Sequence, residues 1–265
     1  MPFVDFDGLR YYHFDLLEGA GVRQAVFTRR GGVSPAPWAS LNVGGLNGDP
    51  RENVVENRRR MFAAFGRPVE SLFDVWQVHS ADAVASSRPR PLDVAHAKAD
   101  IILTDRPEVT LFMRFGDCVP LLLVDPRRKA VCLAHAGWQG TVKKVARVAV
   151  EAMRNSYGCR PEELLVGIGP SVGVHHYQVG QNVVEAVESA FGGDAKNLLP
   201  EYNHHTHFDL WEANRLTLEQ CGVRNVQISG VCTVCHVHDW FSHRAEHGQT
   251  GRFGALLALD NGKGA

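Results

Sequence analysis

Apolar residues recur along the chain in two rhythms, and each rhythm predicts an element. Helical spacing begins after Asp49, where Val54, Val55, Arg58, Met61, Phe62 and Phe65 fall on one face. Asp49, the first-turn Pro50 and Glu52 read as an N-cap with its capping-box partner, and Gly66 and Pro68 end the helix. A second helix is predicted from about residue 141 to 158, with Val142, Val145, Ala149, Ala152 and Met153 inward. Two more cover about 180–191 and 209–222, the latter opened by Asp209 with Glu212 three positions on. Between the helices lie short apolar runs at 101–103, 109–115, 119–124, 130–134, 164–168, 226–228 and 253–259. Several are apolar on both faces, as in strands covered on both sides. The expected fold class is therefore α/β (α+β), a layered domain of mixed β-sheets flanked by helices. Strands and helices alternate too irregularly for a barrel. No Gly/Ser linker, charge block or repeat divides the chain, so residues 1–265 are expected to form a single domain.

Composition narrows the function classes. With 45% hydrophobic and 22% charged residues, the chain can bury a large core, which excludes disorder. Lys plus Arg number 28 against 29 for Asp plus Glu, so no global field draws in nucleic acid or anionic lipid. Asp5 and Asp7 stand where a signal peptide would be basic or apolar, and no run reaches the roughly 18 apolar residues of a membrane span. The expected location is the cytoplasm, with no membrane partner. In that reducing compartment the six cysteines are small buried residues or functional thiolates rather than disulfides.

Two buried strands, 119–124 and 130–134, are joined by a tight turn at 125–129. If Val124 pairs with Lys129, Cys118 lies opposite His135 at the open end, with Cβ atoms about 5 Å apart. A one-residue slip would separate them to opposite faces. Gly116 and Ala136-Gly137 let a backbone approach something closely, and Asp117 is a carboxylate at an otherwise apolar strand entrance. A core cysteine beside a satisfied core histidine is the bland alternative. His79, in Trp76-Gln77-Val78-His79-Ser80, would complete a His/His/Cys set, the three-ligand geometry of catalytic zinc with a fourth position open. Zinc lowers the pKa of bound water to about 7, and Asp117 could then manage protons.

An ordered series of motifs now becomes informative: Phe27-Thr28-Arg29-Arg30-Gly31-Gly32, Ser40-Leu41-Asn42, Glu56-Asn57-Arg58, Gln77-Val78-His79, Gly116-Asp117-Cys118, Ala134-His135-Ala136-Gly137-Trp138, Gly167-Ile168-Gly169-Pro170 and Thr250-Gly251-Arg252. Over about residues 25–259 the chain resembles the YfiH-like, laccase-domain family, formerly labelled polyphenol oxidase. The resemblance implies a single α/β unit that acts on small purine nucleosides. It implies phosphorolysis of adenosine, inosine and methylthioadenosine with inorganic phosphate as co-substrate, and deamination of adenosine. It also implies zinc on His79, Cys118 and His135. Copper fits less well, because a multicopper oxidase needs many paired histidines.

Phosphorolysis needs an anion pocket, and Arg29 beside Gly31-Gly32, with Ser40 and Asn42 as neutral donors, is the candidate cradle. Arg58 lies on the partly apolar face of its helix and can reach inward. The chain departs from the family pattern at Gln139, at Leu46 in Gly45-Leu46-Asn47-Gly48, and at His243-Arg244-Ala245. These positions bear on the preferred nucleoside and on the balance of the two reactions. Cys232, Cys235, His236 and His238 make a C-x-x-C-H motif that reads as buried cysteines or as half of a zinc site. Two other classes keep the same residues. One is a metal-free hydrolase with Cys118 as nucleophile, His135 as base and His79 or Asp117 as orienter. The other is a nucleoside-binding protein without turnover. The oligomeric state is not legible in the chain.

Overall fold

Two six-stranded sheets take up the apolar runs. The computed structural model describes residues 2–91 and 93–260; Met1 and residues 261–265, at the ends of the expected single domain, lie outside them. In chain order the strands are β1 (Phe3–Phe6), β2 (Leu9–Tyr12), β3 (Val22–Phe27), β4 (Leu72–Phe73), β5 (Ala83–Ala85), β6 (Ile101–Thr104) and β7 (Thr110–Phe115). There follow β8 (Val119–Asp125), β9 (Ala130–Ala136), β10 (Leu165–Ile168), the hairpin β11 (Glu201–Tyr202) and β12 (His205–Thr206), β13 (Asn225–Ile228) and β14 (Phe253–Leu259). The helices are α1 (Arg51–Ala64), α2 (Trp138–Val142), α3 (Val145–Tyr157), α4 (Gln181–Phe191), α5 (Ala195–Leu198) and α6 (Leu210–Gln220). One sheet runs β1-β2-β3-β14-β7-β4 and the other β13-β10-β8-β9-β6-β5. Most neighbours are antiparallel, but β4 with β7, β5 with β6 and β10 with β13 are parallel, so both sheets are mixed.

The two-residue period of the strands decides the layers. Leu122 and Val124 of β8, with Val131 and Leu133 of β9, meet Leu111, Met113 and Phe253 of the other sheet. Their neighbours Leu121, Leu123, Cys132 and Ala134 belong to a second core with Ala146, Ala149 and Met153 of α3. On the far side of the first sheet, Phe27, Phe112 and Leu256 pack with Met61 and Phe62 of α1. The order of layers is thus helix, sheet, sheet, helices. The central strands are apolar on both faces because both faces are covered, and each buried Leu or Phe contributes about 1.5–3 kcal/mol. No helix among the described residues is long and apolar enough to cross a membrane.

The structure departs from the sequence pattern at four places, the last of them within α1. Asp49 does not cap α1, which begins at Arg51 with no side-chain cap. Its carboxylate accepts instead from Ser34 Oγ at 2.5 Å, Asn42 Nδ2 at 2.8 Å and Asn53 Nδ2 at 3.1 Å, tying the preceding loop to the helix. The helix expected over 141–158 is two helices, broken where Lys144 takes a left-handed φ of 61°. Strands β1 to β3 have no clean alternation: β1 lies at the sheet edge and carries polar Asp5, and β2 beside it carries polar Arg10. The Asp209 cap is present, its Oδ1 accepting from the Glu212 amide at 2.9 Å.

Helix α1 also buries a polar group where apolar spacing pointed to Val55, which is 56% exposed. Asn57, fully buried, donates from Nδ2 to Ser34 Oγ, Ser40 O and Asn42 O and accepts the Val33 amide. An Asn57→Ala protein is expected to lose about 2–4 kcal/mol, because backbone groups of the 33–42 loop are left buried and unpaired. Urea unfolding, with a lowered midpoint and an unchanged slope, checks this.

Candidate active site

The hairpin of β8 and β9 brings Cys118 and His135 together in a register two residues from the expected one. Asp125 pairs with Ala130 and Pro120 with His135. The turn accounts for the shift: Lys129 adopts φ 50°, and the Asp125 carboxylate accepts the amides of Arg127 and Arg128. A slip of two keeps every side chain on its face, so the pair meets diagonally rather than directly across. Continued by one step, the register sets Cys118 across from Gly137. A Cβ on Gly137 would stand 2.8 Å from Cys118 Sγ and 2.9 Å from His79 Cδ2, so the thiol and imidazole fill the space that a side chain would need.

His79 arrives on the segment between β4 and β5 with φ 58°, a left-handed conformation uncommon outside glycine. The amides on either side of it, Val78 and Ser80, both donate to Asp100 Oδ2, at 3.1 and 2.6 Å. The other oxygen of Asp100 accepts from His135 Nδ1 at 2.8 Å, and the Asp100 carbonyl accepts the His135 amide at 2.8 Å. One buried carboxylate therefore positions both histidines and leaves His135 Nε2 for Cys118. Burial pushes the Asp100 carboxyl up, but the hydrogen bond and charge of His135 and the two amides hold it at about 2. Burial likewise pushes the Cys118 thiol up, and the charge of His135 with hydrogen bonds from both histidines brings it down to about 6. His135 is raised in turn: burial opposes its charge, and the thiolate and Asp100 outweigh burial.

The three side chains fit a metal. Their ligand atoms lie within 4.8 Å of one another, and Cys118 Sγ stands 3.8 Å from His79 Nε2. Tetrahedral bonds of about 2.0 Å to nitrogen and 2.3 Å to sulfur set those atoms about 3.5 Å apart, so a small closure suffices. A ligating imidazole whose other nitrogen binds a carboxylate is the usual supporting arrangement of zinc sites.

All three line a cavity of about 720 Å³, which Arg58, Arg114 and Arg252 share. Burial holds the Arg58 guanidinium down to about 10, with Arg114 adding repulsion, and burial lowers Arg114 and Arg252 as well. The fully buried Asp74 serves Arg90 at 2.7 Å, His96 at 3.2 Å and Arg114 at 3.9 Å. Among the described residues the Arg58 and Arg252 guanidiniums donate to backbone carbonyls alone, of Val43 for one and of Thr250 and Gly251 for the other. The cavity wall is short of negative charge.

Several expected residues stand elsewhere. Arg29 is held by Ala39 O, Val237 O and Glu246 and stacks 4.3 Å from the Phe241 ring centre, away from the cavity lining. Ser40 Oγ binds Gly32 N and Arg29 O, and Asn42 binds Gly44, Asp49 and the Arg252 amide. Gly31-Gly32 packs against backbone, since a Cβ on Gly32 would lie 2.1 Å from Ser40 O. The expected cradle is thus a loop closed on itself. Asp117 lines the cavity at φ 84°, and its oxygens accept from Thr233 Oγ1 and the Arg244 amide, both at 2.6 Å, so it also ties two loops to the strand entrance. Leu46, 80% exposed, stands on the cavity lining, whereas Gln139 does not. Sequence reasoning missed Asp100 and Arg114, although each is a lone charge in or beside an apolar strand.

The family model described as multi-copper polyphenol oxidoreductase laccase matches residues 23–260. The chain belongs to this laccase family. A Deinococcus radiodurans protein named purine nucleoside phosphorylase is 37% identical over 243 residues, covering 92% of this chain and 91% of its own length. The Homo sapiens protein named purine nucleoside phosphorylase LACC1 is 35% identical over 82% of this chain and 50% of its own length. The crystal structure of YlmD from Geobacillus stearothermophilus superposes with a TM-score of 0.89 at 33% identity, covering 97% of this chain and 98% of that one. The layered, mixed α/β architecture is therefore that of the laccase family. Within this laccase-family site, Asp100→Asn is expected to weaken the hold of the His79, Cys118 and His135 cluster on an added divalent metal about 10- to 100-fold, read by competition with a chromophoric chelator.

Proposed function

We propose that the chain is a zinc-dependent purine nucleoside enzyme. It uses phosphate to cleave adenosine, inosine or methylthioadenosine to the free base and the pentose 1-phosphate, and water to deaminate adenosine. The observation that carries this reading is the shared cavity, where a thiolate and two imidazoles share a wall with three partly buried guanidiniums. The name purine nucleoside phosphorylase, borne by the relatives, supports the phosphorolytic half. The cavity draws on segments from Gly44 to Arg252, which supports one catalytic domain over residues 1–265.

In phosphorolysis a phosphate oxygen bonds to the anomeric carbon, the bond to the purine nitrogen breaks, and the departing base takes a proton. Arg58, Arg114 and Arg252 neutralise the phosphate and offer planar donor forks that orient it. Trp76, Trp138 and Tyr177 give the purine aromatic walls, and about 720 Å³ lies within the size range of small-ligand sites. His79, Cys118 and His135 would hold zinc, which supplies a Lewis acid and, for deamination, water ionised near neutral pH. Asp100 keeps the His135 proton on Nδ1, which fixes the tautomer. A borderline-soft thiolate–imidazole set of three donors suits zinc better than the many-histidine cluster of a multicopper oxidase.

Purified protein is expected to contain one tightly held zinc at this site and to convert adenosine to adenine with phosphate and to inosine without it. Protein that takes up no zinc and turns over no nucleoside even with zinc supplied would sink the proposal. Arg58→Gln is expected to raise the KM for phosphate and slow phosphorolysis about 10- to 100-fold while deamination stays within a few-fold, separating the two half-sites by rate.

One observation favours a second reading: Asp100, His135 and Cys118 stand in series, as in a cysteine hydrolase. Iodoacetamide is expected to alkylate Cys118 of zinc-stripped protein readily at pH 7, where a thiol lowered to about 6 is mostly thiolate. Protection by added zinc supports the metal enzyme, whereas labelling indifferent to zinc supports the hydrolase.

A further inference from the structure

Outside the cavity the described residues hold another convergent set of soft ligands. His175, His176 and Cys235 place one ligand atom each within 4.8 Å of one another, all on exposed residues. His175 Nε2 stands 3.2 Å from Cys235 Sγ, and the two imidazole centres are 4.6 Å apart. The sequence motif pointed instead to Cys232, Cys235, His236 and His238. Cys232 is buried with its Sγ accepting the Gly173 amide at 3.2 Å, and the three-ligand convergence is with His175 and His176.

The backbone is built to bring these residues together. Ser171 pairs with Cys232 in a parallel bridge, and the Thr233 amide donates to Ser171 O at 2.9 Å, so the two loops are zipped beside the cluster. Gly173 is required at the junction, because a Cβ there would lie 2.7 Å from His175 Cε1 and 3.2 Å from Cys232 Cβ. The same loops lead into Tyr177 and Arg244, which line the cavity with the guanidinium 5.2 Å over the ring.

We propose that His175, His176 and Cys235 form a second metal site that takes one borderline-soft cation, Zn²⁺ or Cu⁺, and clamps the loop of Tyr177 to the loop of Arg244. Two imidazoles and one thiolate select cations of this class over Mg²⁺ or Ca²⁺. Binding transfers the Cys235 proton to solvent and leaves a fourth position for water, so the site is exchangeable rather than closed.

The test isolates this site from the cavity by working in the Cys118→Ala protein. Zinc titrated against a chromophoric chelator is expected to show one equivalent per chain, and cobalt in its place a thiolate-to-metal charge-transfer band. Both are expected to vanish in the Cys118→Ala/Cys235→Ser double variant. His176→Gln in the Cys118→Ala background is expected to weaken zinc at least tenfold with an unchanged circular dichroism spectrum, which separates ligation from misfolding. A parallel bicinchoninate competition measures Cu⁺ and decides which cation is held more tightly. Absence of saturable binding of either ion to Cys118→Ala, binding unaffected by Cys235→Ser, or a Cys232–Cys235 disulfide in the freshly purified protein would overturn the proposal. None of these outcomes depends on nucleoside turnover.

Discussion

The candidate site depends on one buried carboxylate. Asp100 stands where the chain enters β6, fully buried, and divides its two oxygens between the His79 turn and the His135 ring. His79 adopts a left-handed backbone that costs about 1 kcal/mol or more. Two amides converging on one anionic oxygen repay that cost, since charge-assisted hydrogen bonds are roughly twice as strong as neutral ones. Burial pushes the Asp100 carboxyl up, yet its partners hold it at about 2. The sign follows directly: a carboxylate depressed below its unfolded value of about 3.9 stabilises the fold above that pH, and the contribution fades as pH falls through about 2. The interaction that orders the ligands is thus fully present at neutral pH.

The second constraint is steric, and it acts at the end of the central hairpin. Strands β8 and β9 are buried along their whole length between a sheet and a helical layer, which leaves their open end as the place where polar side chains can meet a cavity. Gly137 makes the meeting possible, because any Cβ there would displace both the Cys118 sulfur and the His79 ring. A rigid, doubly covered hairpin also means that thiol and imidazole are held by packing rather than by loop conformation, the condition under which a three-ligand site is preorganised.

What was legible in the chain follows the range of the physics involved. Runs such as Val119 to Val124 and Phe253 to Leu259 declare buried strands locally, and the Asp209 cap needs only four residues to recognise. Cys118 and His135 could be paired because a hairpin turns sequence separation into cross-strand distance. The error of two in register came from the turn, where the left-handed Lys129 carries no residue-type signal, and it did no harm because the face is preserved. Lys144 breaks a helix for the same unannounced reason. Asp100 and Arg114 were not read as site residues because their partners come from segments far away in the chain. Arg29 misled in the opposite direction: a cation beside two glycines looks like an anion cradle until the glycines are seen to pack against the Ser40 backbone.

The arginines also bear on which chemistry the thiolate serves. The chain as a whole carries a formal charge of −1, so the cationic character of the cavity is local. Three guanidiniums held below their ordinary range by burial are costly to keep charged, and the carboxylates near them, Asp74 for Arg58 and Arg114 and Asp117 for Arg252, offset only part of that cost. Such a deficit persists where an anion completes it, and phosphate is an anion of the right size with oxygens for several donor forks. A cysteine hydrolase of neutral substrates has no use for that charge. A phosphorolytic enzyme needs it beside the reacting carbon. Under the proposed function, the candidate metal ligands and the arginines open on one cavity because a nucleoside would present its base and its anomeric carbon only a few ångströms apart, so both half-sites would have to reach one molecule.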